Sequence, residues 1–491
     1  MRKHAEDRAM SNIGALKKLK TKRPRTIIGV VGCMAKAYRE ELFEKLPHIN
    51  FICGPANIYE IPEIIERINY RDSPLRPVGT VPCALRGQSL VAVDKENRPE
   101  IRNIAYHKKG VSAFVTIMEG CNNFCSYCIV PYVRGREISR PSNEVLNEVK
   151  CLSEDGYKEV TLLGQNVNSY RDSPFRGQSL KGPQQSGVSP KGTSPFVHLL
   201  EKVNKIDGIE RIRFITSHPK DAGEDLFKTM QDLPKVCEHL HLPLQSGSDK
   251  ILKSINRGYT AGEFMRKVDL LRKYVPDCAI TTDVIVGYPG EAEDNFNATK
   301  ELMEEIEFNS AFIFKYSPRP PAKSSEFKDD VPKNIKEERN RILLDLQERI
   351  SSKKEKEFLG CETEVLVEGR CRKDKGKLIG RNRQNIKVVL KGNDDLIGKL
   401  AKAKVKGIRG HTLIGGLTLI LLLFCPQLFS KADAATVDEY FVNGDYENAA
   451  HEAGRLLSST TKEQDKIYYI LGTSLNKLGK WCVNAFRIHL K

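Results

Sequence analysis

The sequence lacks two features that would direct the protein into a membrane or out of the cell. Residues 1–7 are polar and do not resemble an N-terminal signal peptide. The most apolar stretch, residues 413–424, is 12 residues long, whereas a membrane-spanning helix needs about 20. These absences predict a cytoplasmic protein in a reducing compartment, where structural disulfides are not expected.

Acidic residues are scarce in one region of the chain. The whole sequence has 79 Lys and Arg residues against 63 Asp and Glu residues, a formal net charge of +16. Residues 369–409 contain 14 of these basic residues and only three acids, a net charge of +11. Such a block predicts a polyanionic partner, most often a nucleic-acid backbone. A basic module that is merely soluble is the alternative.

The 13 cysteines fall into two classes. In a reducing compartment, clustered cysteines bind metals or take part in chemistry, whereas isolated ones usually behave as small buried hydrophobic residues. Seven of the isolated cysteines are Cys53, Cys83, Cys151, Cys237, Cys278, Cys361 and Cys371. The clustered ones are Cys121, Cys125 and Cys128, which have the spacing C-x3-C-x2-C.

The apolar pattern predicts an α/β protein with three folded regions. Residues 1–100 indicate a small α/β domain, truncated at its N-terminus. Residues 107–335 alternate six β-branched runs with amphipathic helices, which predicts a parallel sheet in a partial (β/α)6 barrel. Within them, residues 171–195 are rich in Ser, Pro and Gly and are predicted to be a disordered insertion. Residues 354–415 contain four short strands and predict a small β-barrel.

The cysteine cluster follows the first predicted strand of the larger barrel, where the active sites of such barrels lie. Three thiolates on one loop can hold a [4Fe–4S] cluster, which normally takes four cysteine ligands. The fourth iron can then bind the amino and carboxylate groups of S-adenosylmethionine (SAM). An electron from the cluster would cleave the sulfonium to a 5′-deoxyadenosyl radical. A structural zinc site, which prefers four N or S ligands, is the alternative.

The residues around the cysteines resemble the methylthiotransferase family of radical SAM enzymes. The similar blocks are residues 118–137, 161–170, 217–220, 241–248, 256–259, 286–291 and 315–319. Within the family they are most similar to members that act on isopentenylated adenosine. The resemblance implies transfer of a methylthio group to C2 of N6-isopentenyladenosine next to the tRNA anticodon. An unactivated C–H bond at C2 makes a radical necessary. Threonylcarbamoyl-adenosine in tRNA and a ribosomal-protein aspartate are alternative substrates.

Four further residues are candidates for binding SAM. Gly164 and Gln165 end the second predicted strand, where backbone groups could receive the methionine part of SAM; a plain turn is the alternative. Ser217 ends the third strand and faces the same end of the barrel. Arg257 could pair with a carboxylate through two hydrogen bonds, with an ordinary surface ion pair as the alternative.

The basic C-terminal barrel resembles the RNA-binding TRAM domain of the family. Lys373, Lys375, Arg381 and Arg383 are its candidate RNA-binding residues. The expected partners are the tRNA anticodon arm and an electron donor for the cluster. No stable protein partner is expected, so the protein is predicted to be a monomer.

The N-terminal region departs from the family, whose members hold a second [4Fe–4S] cluster on three cysteines there. Only Cys33 matches one of these positions, and one thiolate cannot retain such a cluster. The second cluster is therefore doubtful, and SAM cleavage is expected more readily than sulfur insertion. An inactive RNA-binding remnant is the remaining alternative.

The composition changes again near the C-terminus. Residues 416–434 have the basic flank, apolar run and small residues typical of a secretory signal peptide. Residues 435–491 repeat at a 35-residue interval, near the period of tetratricopeptide repeats, and predict a helical segment foreign to the enzyme. A membrane tether through residues 413–429 is the alternative.

Overall fold

The computed structural model describes residues 3–71, 90–93, 110–172, 194–372, 374 and 376–418. Met1–Thr418 cluster as one unit and Leu419–Lys491 as another. The signal-peptide-like and repeat-like segments lie outside the described residues from position 419 onward. Most of the predicted insertion, together with Lys373 and Lys375, also lies outside them.

The N-terminal domain is a small parallel sheet with helices. Its elements are α1 (Lys3–Lys22), β1 (Gly29–Val31), α2 (Cys33–Tyr38), α3 (Glu41–Lys45), β2 (Phe51–Cys53), α4 (Ile61–Arg71) and β3 (Leu90–Ala92). The strands are parallel in the order β1-β2-β3. The core residues Ile28, Val30, Leu42 and Ile52 are buried between sheet and helices. Cys33 begins α2 two residues after β1 ends, so it lies at the carboxyl edge of the sheet.

The central region is an α/β domain, as its alternating apolar runs predicted. Its elements are β4 (Ser112–Thr116), β5 (Met118–Glu119), α5 (Val130–Arg134), β6 (Ile138–Ser139), α6 (Ser142–Glu154), β7 (Glu159–Leu163), α7 (Pro195–Asn204), β8 (Arg211–Ile215), α8 (Glu224–Asp232), β9 (His239–His241), α9 (Asp249–Ile255), α10 (Ala261–Tyr274), β10 (Ala279–Val286), α11 (Glu293–Ile306) and β11 (Ser310–Lys315).

Six of these strands form two parallel sheets, in the orders β4-β7-β8 and β11-β10-β9. A parallel bridge between Ile212 and Val236 connects β8 to the segment just before β9. Parallel strands with helical crossovers bury one face against helices. Along β4, for example, Ala113 and Val115 pack in the helix-covered core, whereas Phe114 is 65% exposed on the other face. We call that second face, opposite the helix-covered core, the inner face.

The C-terminal domain is a closed β-barrel that follows a long helix. Its elements are α12 (Lys333–Lys356), β12 (Glu362–Arg370), β13 (Lys377–Asn382), β14 (Lys387–Lys391), β15 (Leu400–Ile408) and β16 (Thr412–Leu417). The closed order is β12-β13-β14-β16-β15. Alternate residues such as Val365, Val388 and Leu413 fill the interior.

The barrel has five strands rather than the predicted four. The missed strand, β16, uses the first residues of the apolar run 413–424 and pairs in parallel with β14 and antiparallel with β15. Closure requires it, because β14 and β15 would otherwise have unpaired edges. The barrel therefore extends two residues past the predicted end at 415, and residues 413–417 are barrel strand rather than a membrane tether.

Within the described residues, no helix is both long enough and apolar enough to cross a bilayer.

Candidate active site and basic surface

The three clustered cysteines lie on the loop between β5 and α5. Strand β6 follows α5 and pairs with β5 in the antiparallel direction. Gly120, just before Cys121, has a φ of +74°, and a Cβ at this position would lie 2.1 Å from the carbonyl oxygen of Arg136. Only glycine therefore fits the turn. The Cys121 N–H donates to the Gly135 carbonyl at 3.2 Å, and the Cys128 N–H donates to the Cys125 carbonyl at 2.9 Å. These bonds hold the loop in a fixed shape at the carboxyl end of the strands.

Burial favours the neutral form of two of the three thiols. Burial raises the pKa of Cys121, and the neighbouring Cys125 adds to the rise. Burial raises the pKa of Cys128 to about 12, with added repulsion from Cys125 and Cys121. Deprotonating these two thiols would therefore require a positive group beside them, which iron would supply.

Within the described residues, no group of three or more His, Cys, Asp and Glu side chains is arranged to hold a metal ion. A mononuclear zinc site brings all its ligands to one ion, whereas a cubane takes each thiolate at a separate iron. The choice between zinc and [4Fe–4S] at this loop stays a prediction from the sequence.

Arg257 follows α9 and supplies positive charge to the cysteine loop. Its side chain is buried, and its Nη1 donates to the Cys125 Sγ at 3.5 Å. Nη2 donates to the Pro243 carbonyl at 2.9 Å, and Nε donates to the Tyr259 hydroxyl at 3.0 Å. The alternative of a surface ion pair is therefore wrong. A role for Arg257 in binding the SAM carboxylate stays a prediction.

The structure places Gly164 and Gln165 at the carboxyl end of β7, as predicted. The Gly164 N–H donates to the Ile215 carbonyl at 3.0 Å, and the Gly164 carbonyl accepts from the Thr216 N–H at 3.4 Å. Both backbone groups thus extend the hydrogen-bond ladder between β7 and β8. The Gly164 N–H is therefore not available to donate to a ligand. Gln165 is half-buried beside it.

Ser217 and His218 follow the carboxyl end of β8, beside the end of β7 that carries Gly164. Both residues are buried, and in the described part of the chain neither Ser217 Oγ nor His218 Nε2 has a hydrogen-bond partner. The His218 Nδ1 accepts from the Lys220 N–H at 3.2 Å. Burial, reinforced by Arg257 and Lys220, lowers the His218 pKa to about 2, so the ring is neutral and Nε2 carries the proton. Unpaired buried groups are rare, and these two fit a polar ligand such as SAM.

Cys33 lies at the start of α2 and reaches the central domain through Arg134. The Arg134 Nε donates to the Cys33 Sγ at 3.3 Å. Arg134 is the last residue of α5, directly after the cysteine loop. Sequence reasoning missed Arg134, although the family-like block 118–137 includes it.

Arg383 joins the β-barrel to the central domain. Its Nε and Nη2 donate to the two Glu238 carboxylate oxygens at 2.6 and 2.7 Å. Nη1 donates to the Pro234 carbonyl at 3.0 Å, and Nη2 also donates to the Val236 carbonyl at 2.6 Å. These donors are already used within the protein, so Arg383 could contact RNA only by leaving Glu238. Its role as an RNA-binding residue stays a prediction.

Two arginines of β8 also join the central domain to the β-barrel, and here the central domain supplies the donors. Arg211, fully buried, donates to the Arg381 carbonyl at 2.7 Å and to Glu364. Arg213 donates to the carbonyls of Arg383 at 2.8 Å and Asn382 at 2.7 Å, and pairs with Glu159 at 2.8 Å. Sequence reasoning missed both, because their partners in the β-barrel lie 153 or more residues away.

The remaining predicted RNA-binding side chain within the described residues is Arg381, whose Nη1 pairs with both oxygens of Glu368 at 2.6 and 2.8 Å. A more open basic surface lies on β15. There Lys402, Lys404 and Lys406 are exposed, and they alternate with the buried residues Ala401, Ala403 and Val405. The period-two pattern of this segment in the sequence could have identified this lysine stripe.

An α/β fold with a C-x3-C-x2-C loop at the carboxyl end of its parallel strands defines a radical SAM enzyme. Residues 115–303 match the Radical SAM superfamily, residues 1–54 match the Uncharacterized protein family UPF0004, and residues 356–418 match the TRAM domain.

Curated relatives identify the family within this class. The tRNA-2-methylthio-N(6)-dimethylallyladenosine synthase of Carboxydothermus hydrogenoformans is 43% identical over 407 residues, which cover 82% of this chain and 86% of the relative. The synthase of the same name from Clostridium novyi is 43% identical over 418 residues, covering 84% and 86%. The chain belongs to this family of tRNA methylthiotransferases.

Among solved structures, the radical SAM methyltransferase TsrM of Kitasatospora setae is 14% identical, with a TM-score of 0.45 over 64% of this chain and 60% of that chain. At that TM-score the likeness supports no conclusion.

Proposed function

We propose that this protein transfers a methylthio group to C2 of N6-isopentenyladenosine next to the tRNA anticodon. The observation that carries the proposal is the cysteine loop at the carboxyl ends of parallel strands, with the buried Arg257 on Cys125. The name of the relatives, which are 43% identical over 407 and 418 aligned residues, supports the choice of nucleoside.

Cys121, Cys125 and Cys128 would hold a [4Fe–4S] cluster that also binds SAM. When bound, this pair supplies the 5′-deoxyadenosyl radical that an unactivated C–H bond requires. Arg257 offsets the negative charge of the thiolates, and Ser217 and His218 offer unpaired polar atoms to SAM. We further propose that the six parallel strands curve into a partial (β/α)6 barrel around this ligand.

The tRNA would bind through the β-barrel as well as the catalytic region. The exposed lysine stripe of β15 supports a phosphate contact, since lysines bind the backbone without reading sequence. Lys373 and Lys375 remain candidates, and Arg381 could join them if RNA displaces Glu368. The protein would act as a monomer on the anticodon arm and would need an external electron donor.

The family's second cluster would lie at the N-terminal domain. Cys33 would be one of its ligands, and Arg134 would balance its charge. SAM cleavage without methylthio transfer, or RNA binding without catalysis, is the second candidate function.

Nucleoside mass spectrometry tests these possibilities in a strain that lacks the corresponding gene. We expect the chain to restore 2-methylthio-N6-isopentenyladenosine to tRNA. A methylthio group on threonylcarbamoyl-adenosine, or none on tRNA, would contradict the proposed substrate. If no product forms, the assay should be repeated with a relative's cysteine-containing N-terminal segment fused ahead of the chain. Rescue would assign the defect to the second cluster.

A further inference from the structure

Two parallel phenylalanines lie on the inner face of β11. Phe312 and Phe314 have ring centroids 6.5 Å apart and planes 9° apart. Ile313 between them packs in the helix-covered core, so both rings are on the opposite side of the strand. Phe312 is 46% exposed. A large aromatic ring held at mid-strand on a rigid sheet, yet open to solvent, offers a surface for a flat apolar ligand.

A single unpaired acceptor lies next to these rings. Asp283 on β10 is the direct cross-strand neighbour of Phe312. Its Oδ2 is 3.4 Å from the Nε2 of His241, whose ring lies edge-on to Phe312 at 6.3 Å. Its Oδ1 is buried and has no hydrogen-bond partner in the described part of the chain. A buried carboxylate oxygen without a donor is costly unless a ligand supplies one.

We propose that Phe312, Phe314 and Asp283 bind the N6-substituted adenine of the target nucleotide. This inference rests on the proposed function and deepens it. Adenine has a flat π-face that stacks on phenylalanine. An adenine with one alkyl group on N6 keeps a single N6–H, which would donate to Asp283 Oδ1, and the apolar substituent would lie against Phe312.

These three residues would also distinguish between the candidate nucleosides by the charge of the N6 substituent. A threonylcarbamoyl group on N6 carries a carboxylate, which the negative charge of Asp283 would repel. An isopentenyl group is uncharged and gains from burial against the aromatic rings. Specificity then comes from an attractive apolar surface together with a repulsive charge.

Binding of three anticodon stem-loop RNAs tests the inference. They carry adenosine, N6-isopentenyladenosine or N6-threonylcarbamoyladenosine at the target position, and the anaerobically reconstituted full chain is titrated with each. We expect the wild type to bind the isopentenyl RNA at least about tenfold more tightly than the other two. Phe312→Ala should weaken binding of the isopentenyl RNA about tenfold. Asp283→Asn should reduce discrimination against the threonylcarbamoyl RNA.

Leu344→Ala is the matched control, since Leu344 is also 46% exposed but lies on α12; it should change none of the affinities. Phe312→Leu is a control for misfolding of Phe312→Ala, because it keeps an apolar side chain while removing the stacking ring. Its loss of affinity should be intermediate. Iron content should match the wild type in every variant, and Leu344→Ala should also keep the wild-type rate of uncoupled 5′-deoxyadenosine formation.

Unchanged preference in Phe312→Ala and Asp283→Asn, or no preference in the wild type, would overturn the inference. The proposed function is judged separately, by methylthio product from the isopentenyl RNA. Absence of product with preference intact would reject the function while retaining the binding site.

Discussion

The cysteine loop and the C-terminal β-barrel both concentrate functional side chains, but they do so differently. In the loop, three cysteines lie within eight residues, and we propose that they supply all the protein thiolates for one cluster. In the barrel, the basic residues divide into those that bind other parts of the protein and those that face solvent. Arg383 is of the first kind, and Lys402, Lys404 and Lys406 are of the second.

The difference shows that a short motif and a block of charge carry different kinds of information. Ligand spacing on one loop is a local property, so a sequence pattern predicts it directly. The partner of a basic residue is not local, because Arg383 meets Glu238 from 145 residues away. A net charge of +11 in residues 369–409 therefore overstates the charge available to RNA.

The largest effect should come from the loop. Changing Cys121, Cys125 and Cys128 together to alanine should abolish iron binding, since no local residue can replace three thiolates. Anaerobic reconstitution followed by iron and 5′-deoxyadenosine measurements checks this. Cys151→Ala, on the exposed surface of α6, should leave both at wild-type values. Full iron content in the triple variant would place the cluster elsewhere.

The lysine stripe should dominate RNA binding by the barrel. Changing Lys402, Lys404 and Lys406 to glutamine should weaken tRNA affinity and lower the slope of log affinity against log salt by roughly two to three. Filter binding between low and moderate salt measures the slope. A slope equal to that of the wild type would mean that phosphate contacts lie on another surface.

Arg383→Gln should instead destabilise the protein with little change in the salt slope. It leaves the Glu238 carboxylate without its partner, at a cost of about 1–3 kcal/mol because the pair is only partly buried. Urea unfolding and tRNA binding should be measured on the same samples. A slope that falls by about one with unchanged stability would restore Arg383 as an RNA contact.

Two truncations test where the barrel ends. A chain ending at 415 lacks the pairings of Leu417 with Ala403 and of Gly416 with Lys404, and should lose about 1–2 kcal/mol of stability. A chain ending at 418 keeps them and should unfold at the same temperature as the longer protein. Equal melting of both truncated chains would show that the last residues of β16 contribute nothing.

Two histidines should give the smallest effects, with opposite signs. Burial, aided by Arg213, lowers the His239 pKa to about 3. Its contribution is therefore intact above pH 6.5 and is lost as the pH falls toward 3, by about 1–2 kcal/mol at pH 5. Hydrogen bonding to Glu355 raises the pKa of His411 in the barrel, so its small contribution is present below pH 6.5 and is lost above it.

Urea midpoints at pH 5, 7 and 8 for the wild type, His239→Gln and His411→Gln check both signs. His239→Gln should reduce the loss of stability between pH 7 and 5. His411→Gln should reduce the loss between pH 7 and 8, and a loss in the same direction for both would contradict the assigned causes.

The sequence by itself determined the α/β alternation and the β-barrel, and it placed three cysteines on one loop at the carboxyl end of the strands. Strand β10, for example, coincides with one of the six β-branched runs of the sequence. Hydrophobic periodicity and ligand spacing are local signals, and each is readable within about ten residues.

Only the tertiary structure decided which arginines are used internally, that Arg257 contacts Cys125, and that β16 closes the barrel. It also brought Asp283 beside Phe312, since neighbouring strands of a parallel sheet are separated by a whole helix in the sequence. Long-range pairing leaves no local pattern, because the partner's position depends on how the sheet is assembled. That is why the cysteine loop could be predicted from the sequence and the charge partners could not.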